Sequence, residues 1–331
     1  MARRSNQKLK LLYLLKILLE NTDEEHAMTV KEMISELKRY GIPSERKSIY
    51  DDLEALKFFG FDIVSRRSRT TEYFIASRFF QLAELKLLVD AVQCSKFITY
   101  KKSKELIKKL SSLTSKHNAK LLQRQVYVAD RVKTMNESIY YNVDRIHMAI
   151  SQNRQISFRY FQYTVDKKKK FRKNGERYIT SPYALSWDNE NYYLITFSEK
   201  YQDFTHYRVD KMSDIEITNE PRVKLPDHLE FNIAGYSKKV FNMFGGEEET
   251  VKMQFDNSLV NVVIDRFGKD VYIEKADENS FIMKAEVVVS PTFLSWVFQF
   301  GDKVKILDPE DVVSKYKQYL TDTISIYKNI S

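Results

Sequence analysis

The stretch that decides the fold is SPYALSWDNENYYLITFSEKYQDFTHYRVDKM, residues 181–212. Its pattern predicts three short strands. Residues 183–185 lead into a tight turn at 188–190, and residues 192–197 form a β-branched and aromatic run of strand length. After a second polar turn, residues 204–209 alternate aromatic and polar side chains, which is typical of a half-buried strand.

The order and spacing of residues in this stretch resemble the signature of the WYL domain. The Trp-Tyr-Leu of the family falls on residues 192–194, with Tyr192 in place of the tryptophan. Its proline-tyrosine entry falls on residues 182–183, and its closing arginine-x-aspartate-basic-apolar run falls on 208–212. The resemblance implies a small Sm-like β-barrel over residues 151–220, a module found mostly in bacterial transcription factors.

Composition limits the class of protein. A chain of 331 residues with 43% apolar side chains is long enough for two or three packed domains. No stretch reaches the roughly 18–20 apolar residues of a membrane helix. The net charge of +9 and the pI near 9.2 suggest an anionic partner, either nucleic acid or lipid headgroups. The single cysteine, Cys94, excludes an internal disulfide framework and fits a reducing cytosol.

The N-terminus imitates a signal peptide, because Arg3 and Arg4 precede the apolar residues 11–19. However, Lys16 interrupts the apolar run, no small-x-small cleavage site follows, and acidic residues come next at 23–25. The chain is therefore expected to be cytoplasmic.

Residues 1–78 begin with two predicted helices. The first covers residues 8–20. The second opens with a capping-box pattern in which the Thr29 hydroxyl and the Glu32 carboxylate bond each other's backbone amides. It stops at Gly41, which adopts the left-handed conformation at little cost.

A third helix follows a short turn, with Ser44 as its predicted cap. Its buried face is predicted to carry Ile49, Leu53 and Leu56. Two strands, 61–64 and 72–75, are joined by the basic segment 66–69. Helix, helix, turn, helix and hairpin is the order of a winged helix-turn-helix, and residues 44–56 resemble the recognition helix of the family usually fused to WYL domains.

Basic side chains at the start of such a helix point to duplex DNA. The helix reads base edges in the major groove with its N-terminal end, and arginines on the wing neutralise phosphates or enter the minor groove. Arg and Lys donate to guanine, while Tyr and Ser reach phosphate oxygens. The predicted DNA contacts are Ser44, Arg46, Lys47, Ser48, Tyr50, Arg66, Arg67 and Arg69. The alternative is a solvated basic face on a domain that binds another protein.

The rest of the chain predicts three further regions. Residues 79–150 repeat apolar residues at helical spacing and are interpreted as a helical linker that supplies dimer contacts. Residues 156–163 predict the first barrel strand. The basic segment 165–176 then predicts a mobile loop, with a phosphate-contacting loop as the alternative.

After a Pro- and Gly-containing linker at 221–248, residues 249–331 predict the order βαββαβ of a ferredoxin-like module. This part resembles the C-terminal extension that commonly follows WYL domains. The predicted fold class is therefore α+β and multidomain, with a winged helix-turn-helix, a helical linker, an Sm-like barrel and a ferredoxin-like extension.

No residues in the sequence form a pattern that predicts catalysis. The histidines are scattered without metal-ligand spacing, and neither a phosphate-cradling glycine loop nor a nucleophile elbow is present. We therefore expect no enzymatic activity, no metal and no cofactor.

The WYL resemblance implies instead a surface that recognises nucleic acids or nucleotide-like signals. Carried over to this chain, the effector-binding candidates are Arg159, Tyr183, Tyr193, His206 and Arg208. Arg208 can hold a phosphate bidentately, and the tyrosines can stack on a base. His206 can donate or accept according to its protonation. The alternative is that Arg208 and Asp210 pair with neighbouring residues to stabilise the barrel and that the tyrosines are core.

The function that these patterns favour is a transcriptional regulator that binds duplex DNA as a homodimer and senses an anionic effector, single-stranded nucleic acid or a nucleotide. The alternative is an accessory nucleic-acid-binding protein that associates with a partner effector and recognises no operator of its own. The basic wing separates the two, because a domain that only docks would not need it.

Overall fold

The computed structural model describes residues 8–67, 69–122, 133–226, 236 and 239–327. The chain divides into two compact units between Glu137 and Ser138. Arg3 and Arg4 of the N-terminal segment, Ser68 in the basic segment and His228, one of the scattered histidines, lie outside the described residues. In the described part of the chain, no helix is long and apolar enough to cross a membrane.

The first unit combines helices with a small sheet. Its elements are α1 (Lys10–Asn21), β1 (Met28–Thr29), α2 (Val30–Arg39), α3 (Arg46–Phe59), β2 (Ile63–Arg67), β3 (Thr71–Ile75), α4 (Leu82–Cys94), α5 (Tyr100–Ser111) and α6 (Lys116–Leu122). The antiparallel strands pair in the order β1-β3-β2.

The predicted inner face of α3 is confirmed. Ile49, Leu53 and Leu56 fall on one side of the helix and are buried in the core that α1, α2 and the sheet complete. Burial of each such side chain stabilises the unit by about 1.5–3 kcal/mol. The capping box of Thr29 and Glu32 is also present at the start of α2.

The predicted cap of α3 is wrong. The helix begins at Arg46 with Glu45 in the N-cap position, and no side chain caps it. Ser44 lies one residue further out, where its hydroxyl donates to the Ile42 carbonyl at 3.5 Å. The wing prediction is corrected as well, because β2 extends through Arg67. Arg66 and Arg67 therefore lie in the strand and not in the connecting loop.

The second unit opens with a helix and a curled sheet. Its first elements are α7 (Ile139–Ser151), β4 (Arg154–Tyr163), β5 (Lys169–Phe171), β6 (Tyr178–Asp188), β7 (Asn191–Ser198), β8 (Asp203–Arg208) and β9 (Met212–Pro221). The strands pair in the order β5-β4-β6-β7-β8, with β9 also on β4. Register shifts in the β4–β9 and β6–β7 pairs bend the sheet into a half-barrel.

The strand predictions at 156–163, 192–197 and 204–209 are confirmed by β4, β7 and β8. The tight turn predicted at 188–190 is present too. Asn189 and Glu190 have φ values of 44° and 61°, which is the backbone pattern of a two-residue hairpin turn between right-twisted strands.

The basic segment after β4 is more ordered than predicted. Residues 169–171 form β5, which pairs with β4 so that Lys169 lies opposite Tyr163 and Phe171 opposite Phe161. The adjacent Lys169 and Lys170 side chains point to opposite faces of the strand, and Lys169 lies 4.5 Å from the centroid of the Phe161 ring. The prediction of a mobile loop is therefore wrong for residues 169–171.

Helix α7 lies against this sheet. The Asn142 amide donates to the Met212 carbonyl at 3.0 Å, and Arg145 donates to the Ile215 carbonyl at 2.5 Å. Residues 139–150, which were predicted to belong to the helical linker, lie in the second compact unit, which begins at Ser138.

A four-stranded sheet follows in the same unit. Its elements are β10 (Glu247–Asp256), α8 (Val260–Phe267), β11 (Tyr272–Lys275), β12 (Ser280–Val289), α9 (Pro291–Phe298), β13 (Val304–Asp308) and α10 (Glu310–Tyr327). The strands are antiparallel in the order β11-β12-β10-β13. Aromatic side chains dominate its core, where Phe255, Phe293 and Trp296 pack together.

Candidate nucleic-acid interface and effector cavity

The N-terminal end of α3 presents an exposed cationic surface. Arg46 and Lys47 are exposed, and Arg46 Nε donates to the Tyr50 hydroxyl at 3.0 Å. Tyr50 in turn packs edge-on against Tyr73 of β3, with ring centroids 6.4 Å apart. The structure therefore brings Arg46, Lys47 and Tyr50 to one end of the helix, as predicted, with the tyrosine ring supporting the arginine.

Ser48 has a different environment from its neighbours. It is half-buried, and its hydroxyl bonds to the Lys10 ammonium group. Lys10 also pairs with Asp52 at 2.7 Å. The residue predicted to reach a phosphate is therefore part of a contact between α1 and α3.

The hairpin of β2 and β3 carries the other predicted DNA contacts. Arg66 donates to the Glu24 carbonyl at 3.1 Å and pairs with Glu72 at 3.4 Å. Arg67 and Arg69 are exposed and make no hydrogen bond or ion pair with any residue that the structure describes. The free basic surface of the hairpin thus consists of Arg67 and Arg69.

The second unit contains a cavity of about 630 Å³, a volume typical of small-ligand sites. β4, β7 and β8 form one wall, and the segment before β10 forms the other. The lining residues are Tyr160, Asn189, Asn191, Tyr193, Phe204, Thr205, His206, Arg208, Asn242, Met243, Phe244 and Gly245. Three predicted effector residues, Tyr193, His206 and Arg208, are therefore brought together.

Arg208 is fixed in place by three hydrogen bonds. Its guanidinium donates to both oxygens of Asp210, each at 3.0 Å, and to the Asn191 side chain at 2.9 Å. Burial disfavours the charged form, but pairing with Asp210 outweighs it and holds the pKa of Arg208 above its ordinary value. Arg208 thus makes the kind of pairing that the structural alternative expected, with Asp210 as the partner, and it also lines the cavity.

His206 faces the same cavity and bonds to a tyrosine from the segment after β9. Its Nε2 lies 2.9 Å from the Tyr236 hydroxyl. Burial lowers the pKa of His206 to about 4, although nearby Asp203 acts in the opposite direction. His206 is therefore neutral at physiological pH.

The other predicted effector residues have different roles. Tyr193 is 8% exposed and packs against Val240 and Met243, so it is both core and cavity wall. The Tyr183 hydroxyl donates to the Val223 carbonyl, and its ring lies under Arg222 outside the cavity. Arg159 lies on the opposite face of β4 and pairs with Asp214 at 3.6 Å. Of the five predicted effector residues, Tyr193, His206 and Arg208 therefore line the cavity, whereas Tyr183 and Arg159 do not.

Sequence reasoning missed Tyr160 and the asparagines of the cavity. The Tyr160 hydroxyl accepts from the Arg208 backbone amide at 3.3 Å, and Asn189 bonds to Asn242 at 3.4 Å. Asn242 and Met243 both adopt positive φ, which bends the segment before β10 into the cavity wall. Asn191 could have been predicted as a cavity residue, because it lies immediately before the WYL signature at residues 192–194. Nothing in the sequence indicated that Asn242 would line the cavity.

The comparisons with known proteins identify both domains of the second unit. Residues 141–217 match the WYL domain, and residues 247–324 match the WCX domain. The chain therefore contains a WYL domain followed by a WCX domain, which confirms the predicted WYL module and its C-terminal extension. No curated protein matches the sequence.

Two solved structures resemble parts of the chain. One is the proteasome accessory factor B/C (PafBC) of Arthrobacter aurescens, with 14% identity over 94% of this chain and 45% of that chain, at a TM-score of 0.27. The other is described as a CRISPR Cas-related protein, with 15% identity over 75% of this chain and 72% of that chain, at a TM-score of 0.37. The chain spans about half the length of the first structure. At these TM-scores neither likeness bears on the function of the chain.

Proposed function

We propose that this protein is a transcriptional regulator that binds duplex DNA through its first unit and senses an anionic effector through its WYL domain. The observation that carries the proposal is the exposed basic end of α3 with Arg46 and Lys47, together with the exposed arginines Arg67 and Arg69 of the β2–β3 hairpin in the same unit. Such a surface is needed to bind duplex DNA, and a domain that only docks on a protein would not need it.

The first unit has the element order expected of a winged helix-turn-helix. α3 would enter the major groove with Arg46 and Lys47 toward base edges, and the β2–β3 hairpin would follow the flanking phosphates. The hydrogen bond from Arg46 to Tyr50 is exposed and lies within one helix, so the guanidinium can exchange it for a base edge or a phosphate on binding.

The WYL cavity suits a phosphate-bearing ligand. Among the residues that the structure describes, none bonds to Arg208 Nη1, whereas its Nε and Nη2 are fixed. The surrounding asparagines offer amide donors and acceptors. Tyr160 and Phe204 offer aromatic surface on which a base can stack. We infer that the effector is a nucleotide or a single-stranded nucleic acid and that the protein binds it without chemical change.

The WCX domain would link the effector site to assembly. Its strand order is that of a ferredoxin-like sheet, and its residues hold the cavity wall: Thr292 donates to the Phe241 carbonyl at 2.8 Å, and Arg266 donates to the Val240 carbonyl at 2.9 Å. We propose a homodimer, in which two recognition helices about 34 Å apart read successive major grooves. Sedimentation that finds only monomer, with and without DNA, would contradict the dimer.

The experiment that tests the proposal is fluorescence anisotropy on duplex DNA from the promoter of the protein's own gene. The titration is repeated at several salt concentrations, with and without short single-stranded oligonucleotides. We expect tight, steeply salt-dependent duplex binding that the oligonucleotides shift. Negligible duplex binding beside strong single-strand binding would instead favour an accessory nucleic-acid-binding protein.

A further inference from the structure

The first unit contains a cavity of about 620 Å³, a volume within the range of small-ligand sites. Its walls are the loop after α1 at residues 23–25, the segment from the end of β3 to the start of α4 at residues 75–83, and residues 114–121 around the start of α6. None of the proposed DNA contacts lines it. We call this space the Arg78 cavity, because Arg78 is the only cation among the described residues that line it.

Arg78 is a half-buried cation with free donors. Its Nη2 donates to the Leu19 carbonyl at 2.8 Å and to the Thr22 carbonyl at 2.6 Å, which caps the end of α1. Its Nε and Nη1 bond to no residue that the structure describes, and no described carboxylate forms an ion pair with it. Burial lowers the pKa of Arg78, against the opposing effect of the Asp23 charge, but a guanidinium stays charged in proteins. The cavity therefore offers charged donors to an anionic group of a ligand.

Three carboxylates border the same cavity. Asp23 is buried, and its oxygens accept hydrogen bonds from the His26 ring at 2.7 Å and from the Ser115 hydroxyl. Glu24 and Glu25 are exposed, and their carboxylates make no hydrogen bond or ion pair within the described part of the chain. These charges repel an anion, and Arg78 repels a cation, so a ligand that carries both charges fits the cavity better than either.

The cavity also offers apolar surface and an unsatisfied hydroxyl group. Ile75, Phe80 and Leu121 contribute the apolar surface. Thr114 is only 7% exposed, and its hydroxyl bonds to none of the described residues. A buried hydroxyl without a partner costs free energy, which a polar group of a ligand would recover.

We propose that the Arg78 cavity binds a small zwitterion with an apolar side chain, which is the chemistry of an apolar α-amino acid or a short apolar peptide. The ligand carboxylate accepts hydrogen bonds from Arg78 and Thr114, and the ammonium group lies near Glu24 and Glu25. The apolar side chain packs against Phe80. This site is separate from the WYL cavity and does not depend on the effector proposed there.

The loop after α1 also connects the Arg78 cavity to the β2–β3 hairpin. The Glu24 carbonyl accepts from Arg66 of β2 at 3.1 Å, and His26 stacks on His117 of α6 with ring centroids 3.7 Å apart. A ligand that holds Glu24 therefore acts on a residue that supports the hairpin. We expect it to change duplex affinity, a consequence that rests on the proposed function of the first unit.

Isothermal titration calorimetry on the full chain tests whether the ligand must carry both charges. The probes are L-leucine and the dipeptide leucyl-leucine. They are compared with isocaproate, which is leucine without its ammonium group, and with isoamylamine, which is leucine without its carboxylate. We expect at least one of the zwitterions to bind about 10-fold more tightly than both matched compounds. Tighter binding of the dipeptide would identify a peptide as the ligand, and tighter binding of leucine would identify a free amino acid.

Variants separate ligand binding from folding. Arg78→Gln should weaken leucine binding about 10-fold and leave isoamylamine binding no weaker. Glu24→Gln/Glu25→Gln should weaken leucine binding about 3- to 10-fold and leave isocaproate binding no weaker. Both glutamates are exposed, so this variant tests the site even if loss of the α1 cap destabilises Arg78→Gln. The matched control Glu45→Gln/Asp51→Asn removes two exposed carboxylates of the same unit that do not line the cavity, and it should bind leucine as the wild type does.

Each other outcome overturns a stated part. Isoamylamine binding as tightly as the zwitterions would show a cation site, isocaproate binding as tightly would show an anion site, and either result overturns the proposed ligand. No binding of any probe at millimolar concentration overturns the site. Equal losses in the two double variants would show a non-specific charge effect and overturn the role of Glu24 and Glu25. Leucine binding that leaves duplex affinity unchanged overturns the link to the hairpin, whereas a protein that binds no duplex at all contradicts the proposed function and leaves the calorimetric result standing.

Discussion

The basic end of α3 and the WYL cavity use similar side chains but hold them differently. At α3, Arg46 bonds to the neighbouring Tyr50 of the same helix, and Lys47 is exposed. In the cavity, Arg208 is fixed by Asp210 and Asn191, and His206 bonds to Tyr236 from another segment. The first surface is adaptable, whereas the second is largely organised before any ligand arrives.

The difference has an energetic consequence. A substitution at the exposed end of α3 removes a ligand contact and leaves the fold almost unchanged, because surface changes alter stability by less than about 0.5 kcal/mol. A substitution in the cavity also breaks bonds within the protein and leaves a partly buried group with fewer hydrogen-bond partners. Stability and binding should therefore change separately in the first unit and together in the second.

The largest effect is expected for His206 as the pH is lowered. Its pKa is about 4 in the folded protein against 6.5 ordinarily, so the unfolded chain binds more protons between those values. The contribution of neutral His206 is fully present above about pH 6.5 and is lost as the pH falls toward 4. The loss is roughly 3 kcal/mol over the whole window, of which about 2 kcal/mol falls between pH 7 and pH 5.

Urea unfolding of the wild type and of His206→Gln at both pH values measures this loss, because the amide cannot titrate. His147→Gln is the matched control, since His147 is exposed on α7. An equal pH dependence in all three proteins would show that the burial of His206 has no such effect.

The second effect concerns DNA binding by the adaptable surface. Arg46→Ala and Lys47→Ala should each weaken duplex binding by about 2 kcal/mol, roughly 30-fold, with no change in the urea midpoint. Lys57→Ala is the control, because Lys57 lies at the other end of α3 and pairs with Glu54 at 2.8 Å. Unchanged binding in both test variants would mean that α3 is not the recognition helix.

The same contrast explains what the sequence could predict. Local patterns predicted that Ile49, Leu53 and Leu56 form the inner face of α3. They thereby also predicted its outer face, because the other side chains of the same helix must point away from the core. The YYL stretch likewise predicted the strand that bears Tyr193. The cavity could not be predicted, because residues that are distant in the sequence form it. Asn242 is brought to Asn189 by a bent segment. The two residues of that segment with positive φ, Asn242 and Met243, are not glycines, so the sequence did not indicate the bend. The position of Arg159 outside the cavity could not be predicted for a related reason, because the alternation of β4 decides its face only once Tyr160 is known to line the cavity.

The third effect tests whether stability and binding are coupled in the cavity. Arg208→Ala removes three side-chain hydrogen bonds and leaves Asp210, which is only 10% exposed, with Lys211 as an ion-pair partner. We expect the free energy of unfolding to fall by about 1–1.5 kcal/mol, after discounting for the 40% exposure of Arg208. The effector response should be lost while basal duplex binding remains.

Arg208→Lys serves as the control, since it keeps the charge but loses the bidentate geometry, and should recover part of the stability. If Arg208→Ala weakened basal duplex binding as much as the effector response, the role of Arg208 would be structural.

The smallest effect distinguishes the free and paired arginines of the hairpin in the first unit. Arg67→Ala and Arg69→Ala should each reduce the salt dependence of duplex binding by about 0.9 in log–log slope and weaken all duplex sequences alike, because phosphate contacts carry no sequence information. Arg66→Ala is the matched comparison on the same hairpin. Its guanidinium is already bonded to the Glu24 carbonyl and to Glu72, so its removal should leave the slope unchanged. Anisotropy titrations at several salt concentrations on specific and scrambled duplexes measure all three variants. Equal slopes for the three would mean that the hairpin does not contact the DNA backbone through its free arginines, and the adaptable surface would then be confined to α3.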